Sequence, residues 1–330
     1  MKLKVLSRSD VKQAVGMAEA IKAVKKGFIQ LSMEQAQVPL RTQIPVTKRN
    51  GVTLFMPAYL MKSETIGAKI VSVFPNNRRR GLPTIHALVI VVDAKTGRPL
   101  AAMDGTYLTT LRTGAASGLA TDLLARKESR VAAIFGAGTQ SRTQLEAVCT
   151  VRDIERAWVY DVRPSVARAF AREMKERGSP IPADIRVAQT TRQALREADV
   201  VCTATTSFRP VFADSSLKLG VHINGVGSYT PEMQEIPART VVRSKVVVDS
   251  REASLAEAGD LIISIDGGLI TNKNIHGEIG EVAAGKIPGR ESEEETTFFK
   301  SVGLAVQDVA VAELVLKRAE ELGLGLDVEI

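Results

Sequence analysis

The stretch Arg130-Val-Ala-Ala-Ile-Phe-Gly136-Ala-Gly138-Thr139-Gln140-Ser141 constrains the fold of this chain more than any other. An apolar run suited to a buried strand breaks into Gly-x-Gly-x-x-Ser, then into the helix-forming segment Arg142-Thr-Gln-Leu-Glu-Ala-Val-Cys149. Strand, tight turn and helix in that order make a phosphate cradle. Gly136 allows the sharp exit from the strand, and Gly138 lets the backbone come close to a pyrophosphate. The helix start adds unpaired N–H groups and a partial positive charge. Alone, the pattern also describes an ordinary strand-to-helix turn. Its third position, usually Gly or Ala for close helix–strand packing, is Ser141 here. The next apolar strand, Arg156-Ala-Trp-Val-Tyr-Asp161, decides between the two. It ends in a carboxylate 23 positions after Gly138, close to the spacing of about 20 at which an acidic residue takes the adenosine ribose hydroxyls of a dinucleotide. The expected cofactor is a nicotinamide dinucleotide.

The surrounding chain predicts the architecture. From Arg130 to about Ser250, strands at 131–135, 157–161, 200–203, 221–226 and 246–249 alternate with helical stretches at 165–177 and 191–197. Such alternation makes an α/β doubly wound parallel sheet of Rossmann type. Before it, from Val38 to Gly105, short apolar runs are cut by turns, with Asp93-Ala-Lys-Thr-Gly97 linking two of them as a hairpin; this half reads as a mostly antiparallel sheet. Apolar residues at Ala18, Ile21, Val24, Phe28 and Leu31 predict a helical opening from Ser9-Asp10 to about Glu34. The small residues after Arg112 predict a helix over 106–124 that Arg112 opens, and 304–322 reads as a closing helix stopped by Gly323. At 330 residues, two domains are expected.

Composition excludes several classes. Hydrophobic residues at 45% and charged residues at 25% describe a soluble globular chain. The net charge of +7 is modest, and no basic helix or aromatic-interleaved patch suits nucleic acid. Nowhere do 18 apolar residues run together, and the first residues lack a signal-peptide core, so a cytoplasmic protein without membrane partners is expected. Cys149 and Cys202 sit in apolar contexts without metal-type spacing; they read as buried free thiols, and no metal is expected.

Three cations stand where cations need partners. Lys69 shares a strand face with Val71 and Val73, Arg41 sits in a short apolar strand, and Arg112 opens the small-residue helix. If they converge they clamp a substrate carboxylate; taken singly, each also fits a structural salt bridge. The run Asn76-Asn-Arg-Arg-Arg-Gly81 reads as a solvated loop and His86 as a hydrogen-bonded core histidine. No nucleophile–base arrangement stands out, which leaves the chemistry to the cofactor.

Several segments together, Ile66-Gly-Ala-Lys69, Gly81-Leu-Pro-Thr84, Asp104-Gly105 with Leu111-Arg112-Thr-Gly-Ala-Ala, Phe135-Gly-Ala-Gly-Thr-Gln140, His222-Ile-Asn-Gly-Val-Gly227 and Ser301-Val-Gly-Leu-Ala-Val-Gln-Asp308, resemble the ornithine cyclodeaminase/μ-crystallin family over nearly the whole chain. The resemblance implies a Rossmann domain at 119–304 inserted into an α+β substrate and dimerisation domain made of 1–118 with 305–330, and a homodimer. It implies that Arg41, Lys69, Arg112 and Val302 bind the substrate, with Lys69 and Arg112 catalytic. Cofactor contacts are implied at Thr84, Arg112, Gly136, Gly138, Thr139, Gln140, Asp161, Arg163, Thr203, Val226 and Ser301. Asp161 favours NAD(H) because it would repel a 2′-phosphate, while Arg163 keeps NADP(H) open. One departure matters. Cyclodeaminases carry an aspartate shortly after the His-Ile-Asn segment, and here that position holds Tyr229. Without this proton carrier, the chain looks like an NAD(P)H-dependent reductase of a cyclic ketimine carboxylate, Δ1-pyrroline-2-carboxylate to L-proline. Alanine dehydrogenase, ornithine cyclodeaminase and a non-catalytic μ-crystallin-like binder are the alternatives, in that order.

Overall fold

A computed structural model describes residues 2–330. The chain forms two units: the first ends at Arg112 and resumes from Leu304 to Ile330, and the second is Thr113–Gly303. The division falls inside the helix Gly105–Leu124, earlier than the expected residue 118.

In the first unit the strands are β1 Lys2–Leu6, β2 Ala36–Gln37, β3 Thr42–Val46, β4 Gly51–Leu60, β5 Thr65–Val73, β6 Ile85–Asp93 and β7 Pro99–Asp104. The second unit contributes β8 Val131–Phe135, β9 Arg156–Tyr160, β10 Asp184–Val187, β11 Val200–Thr203, β12 His222–Gly225, β13 Lys245–Val248, β14 Ile275–Glu278 and β15 Thr297–Lys300. β16, Leu326–Glu329, belongs again to the first unit.

The first sheet runs β16-β1-β7-β6-β5-β4-β2, with β3 also on β4. All its pairs are antiparallel except β1 with β7. Its inner face carries Met56, Ala58, Val71, Val89, Val91 and Met103, all buried. The helix Ala305–Leu322 covers this face, with Met17–Ser32 packed on that helix and on β2. Small residues set how closely they pack. A Cβ on Gly67 would stand 2.7 Å from Val309, and one on Gly27 would stand 3.1 Å from Ala310.

Several expectations for this unit need correction. The chain opens on a strand, and the predicted single helix is two, Arg8–Ala14 and Met17–Ser32, separated at Val15-Gly16. Ser7 caps the first: its hydroxyl accepts from the Asp10 N–H while the Asp10 carboxylate accepts from the Ser7 N–H. Past Gly323, whose φ of +64° ends the last helix, the chain adds β16 against β1. Arg41 precedes β3 and is half-buried, not part of a strand. His86 is exposed and is no core histidine. It lies on the outer face of β6, and apolar residues on both faces of that strand conceal the alternation. Asn76–Arg80 fall in an exposed 3-10 turn ended by Gly81 at φ +66°.

The second sheet is parallel throughout, in the order β10-β9-β8-β11-β12-β15-β13-β14. β10, β14 and β15 escape the sequence pattern. Four residues are too few to establish an alternation, and β15, alone of the three buried on both faces, also follows a run of glutamates.

Candidate active site

The first unit gathers charge around Asp308. This residue is fully buried at the start of the helix Ala305–Leu322, and each of its carboxylate oxygens holds one cation. Oδ2 lies 2.7 Å from the Lys69 ammonium, and Oδ1 accepts from Arg112 Nε at 2.9 Å. Arg112 Nη1 also donates to Gln307 Oε1 at 2.6 Å, an oxygen that accepts from the Leu304 N–H at 2.8 Å as well. Those two donors fix the Gln307 amide with its nitrogen on the far side. Among the described residues that nitrogen has no acceptor, although it is buried. Lys69 points inward because it is paired across the sheet with Met56 and Val89 on the buried face.

Two cations thus share one carboxylate. Burial first and the charge of Arg112 second bring the Lys69 pKa down to about 7 against the opposing pull of Asp308, with Arg41 adding a smaller push in the same direction as Arg112. Arg41 therefore stands near enough for its charge to be felt at Lys69, so the structure brings the three sequence-selected cations together. Arg112 lies in the interior of the helix Gly105–Leu124 and does not open it. Thr84 lies just before β6, where its carbonyl accepts from the Phe74 N–H. Asp308 and Gln307, which organise this cluster, were quoted above only as part of a motif. The inward-facing Lys69 was the signal that a buried carboxylate had to exist.

In the second unit the glycine turn has the geometry its sequence demands. Gly136 adopts φ +86°, and a Cβ there would stand 2.8 Å from the Ala204 carbonyl. Gly138, the N-cap of the helix Thr139–Val151, is different. Its φ of −81° suits any residue, and a Cβ on it would meet nothing within 4 Å. The protein itself does not need glycine there; the open space in front of the helix N-terminus does. Thr139 is exposed and Gln140 half-buried at that terminus, and among the described residues Gln140 Oε1 is buried without a partner. Ser141, at the close-packing position, is fully buried.

Asp161 follows β9 directly, and its carboxylate accepts from the Ala137 N–H at 2.9 Å and the Arg163 N–H at 2.8 Å. The acidic residue and the glycine turn are therefore joined. Arg163 is largely exposed, 3.8 Å from Asp161. Arg142, unremarked in the sequence, donates to the Gly138 carbonyl at 2.8 Å while its charge is met by Glu173 at 2.6 Å. This holds the Gly138 carbonyl of the turn in place. These features fit a dinucleotide: an uncovered helix N-terminus, a side-chain-free approach and an oriented carboxylate.

The other sequence-selected positions in this unit are built into its interior. Thr203 ends β11 fully buried, its hydroxyl donating to Glu235. The Val226 N–H donates to the Thr203 carbonyl. Ser301, Val302 and Gly303 form a turn on one oxygen of buried Asp249, which accepts from Ser301 Oγ at 2.8 Å, Val302 N–H at 2.9 Å and Gly303 N–H at 2.8 Å. His222 bridges Thr297 and Asn224, and burial lowers its pKa to about 3, so it is a neutral tie between strands and no proton carrier. Cys149 and Cys202 are free, and burial pushes both thiols up to about 12. Tyr229 is exposed beyond β12. Among the described residues no group of three or more His, Cys, Asp or Glu is placed to hold a metal, and no helix is long and apolar enough to cross a membrane.

The model of the ornithine cyclodeaminase/mu-crystallin family matches residues 1–323. The chain belongs to this family. It is 41% identical over 327 residues to a Δ1-pyrroline-2-carboxylate reductase of Bacillus cereus, covering 98% of this chain and 99% of that one. Among solved structures, Δ1-pyrroline-2-carboxylate reductase of Thermococcus litoralis in complex with NADH and L-proline superposes with a TM-score of 0.95 at 46% identity, covering 99% of this chain and 100% of that one. An archaeal alanine dehydrogenase dimer with bound NAD gives 0.93 at 39% identity, with complete coverage of both chains.

Proposed function

We propose that the chain is an NAD(P)H-dependent reductase that converts a cyclic ketimine carboxylate, Δ1-pyrroline-2-carboxylate, to L-proline. One observation carries the reading: buried Lys69 and Arg112 share the single carboxylate of Asp308, which leaves a surplus positive charge and an unused Gln307 N–H donor for an incoming carboxylate. Arg41 adds a third cation. The dinucleotide is held by Gly136, Gly138, Thr139 and Gln140 at its phosphates and by Asp161 at the adenosine ribose, with Arg163 leaving room for NADP(H). Thr203, Val226 and Ser301 complete its surroundings. A bound NAD(P)H supplies the hydride that the C=N carbon receives. The protein residues orient the carboxylate, exclude water and, through Lys69, hold a proton at a nitrogen whose pKa of about 7 suits its release near neutrality. The relatives that act on this imine support the choice of substrate.

The same apolar-faced sheet supports a homodimer. Ile44, Phe55, Ile66 and Leu88 are each more than a third exposed on the outer face of the antiparallel sheet, an area that a second copy would cover. A cytoplasmic site of action belongs to the same reading, supported by two free buried thiols.

The test is spectrophotometric. NADH or NADPH oxidation is expected on adding Δ1-pyrroline-2-carboxylate. Oxidation with pyruvate and ammonia alone would favour alanine dehydrogenase, the second reading that the archaeal relative supports. Release of ammonia from ornithine would favour a cyclodeaminase, against Tyr229. Arg112→Ala separates catalysis from mere binding: kcat/KM for the imine is expected to fall about tenfold to hundredfold, as for loss of a charged hydrogen bond.

A further inference from the structure

At the carboxyl ends of β11 and β12 the second unit holds a fully buried charged cluster, Glu235, Asp260 and Lys300, that the reading above does not use. Both carboxylate oxygens of Glu235 face donors. Oε1 accepts from the Thr205 N–H at 2.6 Å, and Oε2 accepts from the Thr203 hydroxyl and the Gly227 N–H, each at 2.8 Å. The glycine at 227 follows from this packing, since a Cβ there would stand 2.4 Å from Glu235 Oε1. Asp260 backs the arrangement. Its Oδ1 accepts from the N–H groups of Glu235 and Ile236 at 2.7 and 2.9 Å, and its Oδ2 meets Lys300, the last residue of β15, at 3.1 Å. One carboxylate therefore staples the chain leaving β11 to the chain leaving β12, and a second carboxylate fixes the first.

Sheet order gives those two exits a role. β9, followed by Asp161, lies on one side of β8, and β11 then β12 lie on the other. A dinucleotide with its pyrophosphate at Gly138 and its adenosine ribose at Asp161 must lay its other half over the exits of β11 and β12. We propose that Glu235 is a positioning residue for the nicotinamide half of the cofactor, acting through Thr203, Thr205 and Gly227 without touching the reacting atoms. This rests on the dinucleotide reading and not on the identity of the imine.

Glu235→Gln keeps the shape but must turn an NH2 group toward a backbone N–H, leaving two donors face to face. By fluorescence titration, the variant is expected to bind NADH about tenfold or more weakly, the usual cost of an unsatisfied buried polar group. ADP-ribose, which lacks the nicotinamide, is expected to bind within about twofold of wild type. Thr203→Val removes one of the three donors and is expected to weaken NADH about threefold, again sparing ADP-ribose. Exposed Glu232→Gln is the control and should change neither ligand. Undiminished NADH binding, or an equal loss of both ligands at an unchanged melting temperature, would overturn the proposal. Should Glu235→Gln fail to fold, Thr203→Val decides by the same criterion. If the NADH-specific loss appears but the wild type does not reduce the imine, only the substrate reading falls.

Discussion

Each unit of this chain holds a buried cluster of three charged side chains, and the two clusters have opposite balance. In the first, two cations, Lys69 and Arg112, share Asp308; in the second, two carboxylates, Glu235 and Asp260, stand with one cation, Lys300, which pairs with Asp260. Burying ions is costly unless every charge finds partners. The second set finds them at home, because five backbone N–H or hydroxyl donors close on its carboxylates from Thr203, Thr205, Gly227, Glu235 and Ile236. The first set does not. Its surplus positive charge and the idle Gln307 amide nitrogen are complete only when an anion arrives. A buried cluster with a surplus that its own fold satisfies reads as structural, and one with a surplus left open reads as a binding site.

The largest effect should come from breaking each cluster at the carboxylate that holds its cations or cation. Asp308→Asn and Asp260→Asn are each expected to destabilise the protein by about 3–5 kcal/mol in denaturant unfolding, because each leaves buried charge unpaired. The comparison is sharpened by adding L-proline. Its carboxylate should restore part of the stability of Asp308→Asn, where cations are left exposed to a ligand, and none of that of Asp260→Asn. Equal rescue of both, or of neither, would break the distinction.

The same asymmetry explains how far the sequence could be read. Cations such as Lys69 and Arg112 are conspicuous among apolar or small neighbours, and the glycines at 136 and 138 are conspicuous through their spacing. Their partners are not. Asp308 sits 196 residues from Arg112, and nothing in the local pattern of the helix Ala305–Leu322 marks it as an ion-pair acceptor. Asp249 looks like the end of a strand and Glu235 like a turn carboxylate until the chain brings Ser301–Gly303 onto one and the exits of β11 and β12 onto the other. Among the elements, the long antiparallel strands and the βαβ alternation were legible. The four-residue strands β10, β14 and β15 and the pairing of β1 with β16 were not, since short parallel strands and chain-end pairings depend on partners distant in sequence. His86 misled because the outer face of its sheet is itself apolar.

A smaller effect should follow pH. Lys69 has a pKa of about 7 in the folded chain against 10.5 for an ordinary lysine. Between those values the unfolded chain holds a proton that the folded chain lacks, so this residue's contribution to stability rises with pH across that window and is constant below it. Ligand binding runs the opposite way. The cation that attracts a carboxylate is present below about 7 and lost above, so L-proline affinity at saturating NADH is expected to weaken as pH rises through about 7, by about tenfold to hundredfold. Asp308→Asn removes the group that holds the proton on Lys69 and should move this limb to lower pH. A limb that stays in place would mean that another group titrates.

The smallest effect tests the open part of the second unit, where the contrast with Glu235 is internal to one sheet. At Gly227 a side chain would collide with protein, while at Gly138 it would collide with nothing the chain contains. Gly138→Ala, at a φ of −81° that alanine adopts freely, should therefore raise stability by about 0.4–1 kcal/mol through the unfolded state. The same methyl stands where backbone must approach a pyrophosphate, so NADH affinity is expected to fall about tenfold. Opposite signs in melting temperature and in NADH titration would mark Gly138 as a residue kept for the ligand alone. A variant that gains stability and binds NADH as before would place the phosphates elsewhere on the sheet, and the assignment of Thr139 and Gln140 would go with them.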